Sequence, residues 1–196
     1  MEVNEPITEY GKLDLEKSYT YLDYLNWKFK ERVELIKGKI FKMSPAPHWM
    51  HQKASQSLNK VIYNFFTNRR CEVFYAPIDV KLPIASHKGD TVVQPDICVV
   101  CDLTKLDDHG IVGAPDLIVE ILSESNKKHD LETKFNLYQE AKVSEYWIAD
   151  YTNKTLIIYH LENDKYVGSK IYTVSEIAKS QHFKGLEVKI DDVFEG

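Results

Sequence analysis

A single α/β or α+β domain, helices packed on a mixed β-sheet, is the fold class that this sequence predicts. Three observations carry it. Strand-like stretches come in runs, helix-like stretches fall early and in the middle, and only one clear strand–helix–strand crossover exists, over 113–150. The composition agrees, since 196 residues with 43% hydrophobic and 28% charged side chains suit one soluble domain with a sizeable core. No Pro/Gly-rich linker or internal repeat divides the chain, so residues 1–17 are expected as a loosely held N-terminal arm and 18–196 as one domain.

The elements follow in order. Leu22, Leu25 and Phe29 are spaced for a helix over 18–30, with Ser18 or Thr20 as cap. "RVELIKGKIFKMS" (32–44) reads as a hairpin turning at Lys37-Gly38. Leu58, Val61, Ile62, Phe65 and Phe66 mark a long amphipathic helix within 48–70. "EVFYAPIDVKLP" and "TVVQPDICVV" are expected as two strands joined across "IASHKGD". "LIVEIL" (117–122) has the continuous apolar character of a strand covered on both faces. A helix over 129–142 follows, then strands at "EYWIAD", "TLIIYHL" and "KYVGSKIYTV". The tail "GLEVKIDDVF" suggests a last short strand.

Several function classes are excluded or unsupported. No apolar stretch approaches the roughly 20 residues of a membrane span. The acidic, polar start lacks the chemistry of a signal or transit peptide, so a cytoplasmic protein is expected. Net charge is −5, which argues against a nonspecific nucleic-acid coat but allows a local basic groove. No G-x-G-x-x-G, G-x-x-x-x-G-K-[ST] or G-x-S-x-G occurs. Cys71, Cys98 and Cys101 complete no zinc spacing and read as small buried thiols.

Two acids stand out. Asp96 lies in "VVQPDICVV" and Glu120 in "APDLIVEIL", each within an apolar strand. An isolated buried charge is very costly, so each needs a proton, a partner or a cation. If the strands are neighbours, the carboxylates converge. At about 4 Å they would repel by about 4 kcal/mol at an effective dielectric of about 20. All-oxygen ligands suit Mg²⁺ or Mn²⁺. On that basis, removing either acid is expected to leave stability unharmed. Asp116, in the second "PD", is about 13 Å from Glu120 along an extended strand and is expected to start the strand or bind a backbone amide instead. Lys134 falls inside the apolar stripe of Leu131, Phe135, Tyr138 and Ala141. It either pairs with Asp130 one turn earlier or reaches the acids.

These residues resemble a known family. "VVQPDICVV", "APDLIVEILSES", the Asp130…Lys134…Tyr138 spacing and "VSEYWIAD" look like the Uma-type restriction endonucleases of bacteria, in the PD-(D/E)XK nuclease-like superfamily. The likeness runs from about residue 18 to the tail. It implies a restriction-endonuclease-like fold and Mg²⁺-dependent (or Mn²⁺-dependent) hydrolysis of DNA. Asp96, Glu120 and the carbonyl of Ile121 would be the metal ligands. Glu34, in "VELIKG", matches a further acid of the family, and His51 and Gln52 match its helix-opening pair. Leu122 occupies the slot where D/E-x-K places lysine, and Lys134 is the matching replacement on the following helix. A protein that keeps the fold but binds nucleic acid without cutting is the alternative. A twofold dimer is the default assembly.

Overall fold

The computed structural model describes residues 7–43, 48–86, 89–123 and 129–195, with the side chains of residues 129 and 130 excepted. Thr20 caps a short helix α1 (Tyr21–Leu25): its hydroxyl accepts from the Asp23 N–H, and the Asp23 carboxylate accepts from the Thr20 N–H. The expected helix over 18–30 therefore stops early, and Trp27 and Phe29 follow as aromatic packing rather than as helical turns. Strands β1 (Val33–Ile36) and β2 (Lys39–Lys42) form the expected hairpin. Its turn residues Lys37 and Gly38 have φ of 52° and 78°, the left-handed pair of a two-residue turn. Helix α2 (Trp49–Phe66) buries Ala54, Leu58, Ile62 and Phe66 along one face.

Each of the next two expected strands breaks at a proline. β3 (Glu72–Tyr75) and β4 (Val80–Lys81) flank Pro77, and β5 (Val92–Val93) and β6 (Ile97–Val100) flank Pro95. Proline has no N–H for a ladder, so it marks where the chain leaves one sheet for another. β3 pairs with β6, while β4 pairs with β5 in a second sheet. Short strands β7 (Leu106–Asp107) and β8 (Gly110–Val112) follow, unforeseen in the sequence. Then come β9 (Leu117–Leu122), a π-helical turn over His129–Lys134 running into α3 (Phe135–Glu140), and β10 (Glu145–Asp150). β11 (Thr155–Glu162) and β12 (Lys165–Gly168) extend that sheet. β13 (Ile177–Lys179) pairs with β14 (Glu187–Lys189), and the tail ends in α4 (Ile190–Phe194) rather than wholly as strand.

The two large sheets run β2-β1-β5-β4-β8-β7 and β12-β11-β10-β9-β6-β3. Both are mixed, and β9 and β10 are the parallel pair joined across α3, as the crossover predicted. Alternate residues of β9 face opposite layers. Leu117, Val119 and Ile121 pack with Trp147 against α2 and α4, whereas Ile118 and Leu122 pack with Cys98 and Tyr146 against α3. Glu120 shares the face that α3 covers. A third cluster gathers Leu13, Tyr19, Leu35 and Val92, with Ile7 and Tyr10 against it, so Ile7, Tyr10 and Leu13 anchor the N-terminal stretch while the rest of residues 7–17 are exposed. No helix among the described residues is long and apolar enough to cross a membrane.

The cysteines need a correction. Cys71 and Cys101 form a disulfide, and Cys98 alone is a buried thiol. Cys71 and Cys101 stand one step beyond the Glu72–Val100 pair of an antiparallel ladder, so the strand register sets them face to face.

Candidate active site

Ile97 lies opposite Val119 in the β6–β9 ladder, so the next pair, just past the end of β6, is Asp96 with Glu120. Asp96 there takes over the work of the missing ladder. Its Oδ2 accepts from the Ile121 N–H at 2.8 Å and stands 3.3 Å from His51 Nε2, on the first turn of α2. In a strand the N–H and C=O of one residue point to the same edge, which turns the Ile121 carbonyl toward Asp96 as well.

Glu120 is 3% exposed and its charge is met by a lysine. Lys134 Nζ lies 2.9 Å from Glu120 Oε1 and 3.0 Å from Glu34 Oε1, so one buried ammonium bridges two carboxylates. Tyr138, one turn after Lys134 and on the same helix face, donates its hydroxyl to Glu120 Oε1 at 2.6 Å. Burial first, then the charges of Glu120 and Glu34, push the Tyr138 pKa well above the ordinary phenol value, so the hydroxyl stays a donor. The same Glu34 Oε1 also accepts from the Gln94 N–H at 3.1 Å. The π-helical turn that delivers Lys134 is the kind of local insertion that often re-aims side chains at functional sites.

Glu120, Glu34 and Lys134 thus come together from β9, β1 and the π-helical turn, while Asp96 meets His51 beside Ile121. Gln52 is exposed, one residue along the helix. Asp116 stays outside the site and accepts from the Cys101 N–H at 2.8 Å, the amide-binding role expected of it. Leu122 is buried in the core facing α3. The competing Asp130 pairing lies outside the described residues. Two participants were missed in the sequence. Tyr138 was read as apolar stripe and as part of the family-like spacing, with no role for its hydroxyl, although a buried tyrosine hydroxyl normally needs a partner. Gln94 acts through its main chain, which no side-chain pattern reveals.

The donor chemistry fits a hard divalent cation. Asp96, Glu120 and the Ile121 carbonyl are all oxygen, and the three carboxylates outnumber the one ammonium in a mostly buried place. Among the described residues no three His, Cys, Asp or Glu side chains form a ready metal cage.

The profile of the Uma2 family, described as "Putative restriction endonuclease", matches residues 21–191. The chain belongs to the Uma2 family. An uncharacterized protein of Synechocystis, slr1290, is 27% identical over 167 residues, covering 84% of this chain and 82% of that protein. A crystal structure from Anabaena variabilis, of a "putative nuclease belonging to DUF820", superposes with a TM-score of 0.67 at 20% identity. It covers 90% of this chain and 97% of its own, which establishes a shared nuclease-like fold for this Uma2 protein.

Proposed function

We propose that this Uma2 chain is a Mg²⁺-dependent endonuclease hydrolysing phosphodiester bonds of DNA, with Mn²⁺ able to substitute. The observation that carries the reading is the placement of Lys134. The D/E-x-K lysine slot holds Leu122, yet an ammonium arrives 2.9 Å from Glu120 by another route. Asp96, Glu120 and the Ile121 carbonyl would hold the metal. When bound, such an ion supplies Lewis-acid polarisation of the phosphate and lowers the pKa of water. Lys134, oriented by Glu34 and Glu120, offers N–H donors and positive charge to the attacking water and the phosphoryl oxygens. Water adds to phosphorus, the bond to the 3′ oxygen breaks, and a 5′-phosphate and 3′-hydroxyl result. A homodimer would present two such sites to the two strands, and a cytoplasmic location belongs to the same reading.

Calorimetric Mn²⁺ titration tests the site before any substrate is chosen. Wild type and Asp116→Asn should bind alike, whereas Asp96→Asn and Glu120→Gln should lose binding. Equal affinity in all four sinks the metal assignment. Plasmid cleavage should require Mg²⁺ or Mn²⁺, fade in Ca²⁺ and fall steeply with salt. Cutting that persists in excess chelator rules the mechanism out. Metal binding without cutting would favour the alternative, in which Lys134 is only a counter-ion and the protein binds DNA passively.

A further inference from the structure

Beside Glu34 the fold leaves a cleft of about 320 Å³ that the hydrolytic site does not use. One wall is aromatic. Trp27 and Phe29 stack at 5.6 Å with 29° between their planes, and Tyr24 lies 5.5 Å from Trp27. The facing wall is polar and already ordered. The Gln94 side-chain amide donates to Asp79 Oδ1 at 2.7 Å and to the Tyr24 hydroxyl at 3.2 Å, while its Oε1 accepts from Arg32 Nη2 at 2.7 Å. The Tyr24 hydroxyl donates to Asp79 at 2.9 Å. Burial, then Asp79, raise the Tyr24 pKa, so that donor persists. Lys30 and Arg32 are exposed at the rim.

Gln94 ties this cleft to the acids. Its side chain lines the cleft, its main-chain N–H holds Glu34, and Asp96 is two residues on. A strand whose phosphate lies at Asp96 and Glu120 would bring an adjoining nucleotide to the cleft. A base paired in a duplex keeps both faces stacked and cannot enter. An unpaired base offers a free π-face to Trp27, and Asp79 offers an acceptor for an exocyclic amine. The rim cations would meet the backbone phosphates.

We propose that this cleft holds one unpaired nucleobase beside the scissile phosphate, so that the substrate is single-stranded or locally opened DNA. The proposal rests on the nuclease reading above. Its test is fluorescence anisotropy of the full chain, in Ca²⁺, with three labelled probes: a short single strand, the same strand with abasic sites, and its blunt duplex. Wild type should prefer the intact single strand and lose roughly 5- to 100-fold on the abasic one. Trp27→Leu should lose a similar factor on the intact strand only, with Mn²⁺ affinity unchanged. Arg32→Ala, at an exposed position, should weaken binding to the intact and abasic strands alike and flatten the salt dependence by about one phosphate contact. The abasic comparison needs no mutation and so survives a Trp27 variant that fails to fold. Equal binding of intact and abasic strands by wild type overturns the cleft assignment, and the nuclease reading stands if the duplex is bound and cut. Absence of binding and cleavage with every probe overturns the nuclease reading and the cleft together.

Discussion

A carboxylate in the middle of six consecutive buried residues is held by two donors one helical turn apart, Lys134 and Tyr138. The arrangement changes what mutation of the acids should do. Repulsion between Asp96 and Glu120 alone would make Glu120→Gln harmless to stability, but the shared ammonium makes Glu120 half of a buried ion pair. Breaking such a pair from one side typically costs about 3–5 kcal/mol, because the other charge is left buried. Lys134→Ala should therefore unfold at lower denaturant in the absence of metal, by an amount of that order. Mn²⁺ should raise the stability of the variant and of wild type by the same amount, since stabilisation by a bound ion follows its affinity for the native state. Plasmid cleavage should fall about 100-fold or more, as for removal of one preorganised electrostatic donor, while Mn²⁺ affinity is kept. Denaturant titrations with and without Mn²⁺, beside cleavage rates, check all three. An unchanged cleavage rate would remove Lys134 from the chemistry.

Among the elements, the β1–β2 hairpin turns on a tightly enclosed glycine. β1 carries Glu34 into the site, and its turn is pinned from outside: the Gly38 N–H donates to the Asp90 carbonyl, and the Gly38 carbonyl accepts from the Tyr19 N–H. Gly38 has φ of 78°, and a Cβ there would stand 2.2 Å from Ser18 Oγ and 3.0 Å from Gly89 Cα. The Ser18 hydroxyl can swing away, but the Gly89 backbone cannot do so without moving the neighbouring chain. Gly38→Ala should accordingly cost about 1–3 kcal/mol, the range for a side chain forced into a sparsely populated backbone region. Thermal unfolding measures it. A melting temperature equal to that of wild type would show that the turn relaxes freely.

Over the whole molecule, the site lies where the two large sheets meet. β1 of one sheet supplies Glu34, β9 of the other supplies Glu120, and the π-helical turn ahead of α3 spans them with Lys134. Global stability should carry an alkaline signature of that buried interior. Burial, then the Glu120 charge, push the Cys98 thiol from 9.0 up to about 12. The thiol binds its proton more tightly in the folded state, so its stabilisation is fully present below pH 9. It is lost as pH rises from 9 toward 12, at up to about 1.4 kcal/mol per pH unit. Tyr138, also raised, adds to the decline above about pH 10. Urea midpoints should fall from pH 9 upward, and Cys98→Ala should flatten the step between pH 9 and 10. Parallel curves for the two proteins would show that Cys98 does not titrate with unfolding.

Much of this was legible in the residues themselves, because it depends on local chemistry. Two-residue turn geometry at Lys37-Gly38, the amphipathic α2, the fully buried β9 and the β9–α3–β10 crossover all follow from period, turn type and apolar runs. So did the oddity of acids inside apolar strands, since a buried charge demands a partner wherever the strand lies. Which partner it meets is a different matter. Lys134 had two local options, and only the packing of its helix on the sheet brought it to Glu120 and Glu34. The breaks at Pro77 and Pro95, the Cys71–Cys101 bond and the main-chain hold of Gln94 on Glu34 depend on strands distant in sequence lying side by side. Spacing along the chain carries no record of register between strands, and it is register that assembles this site.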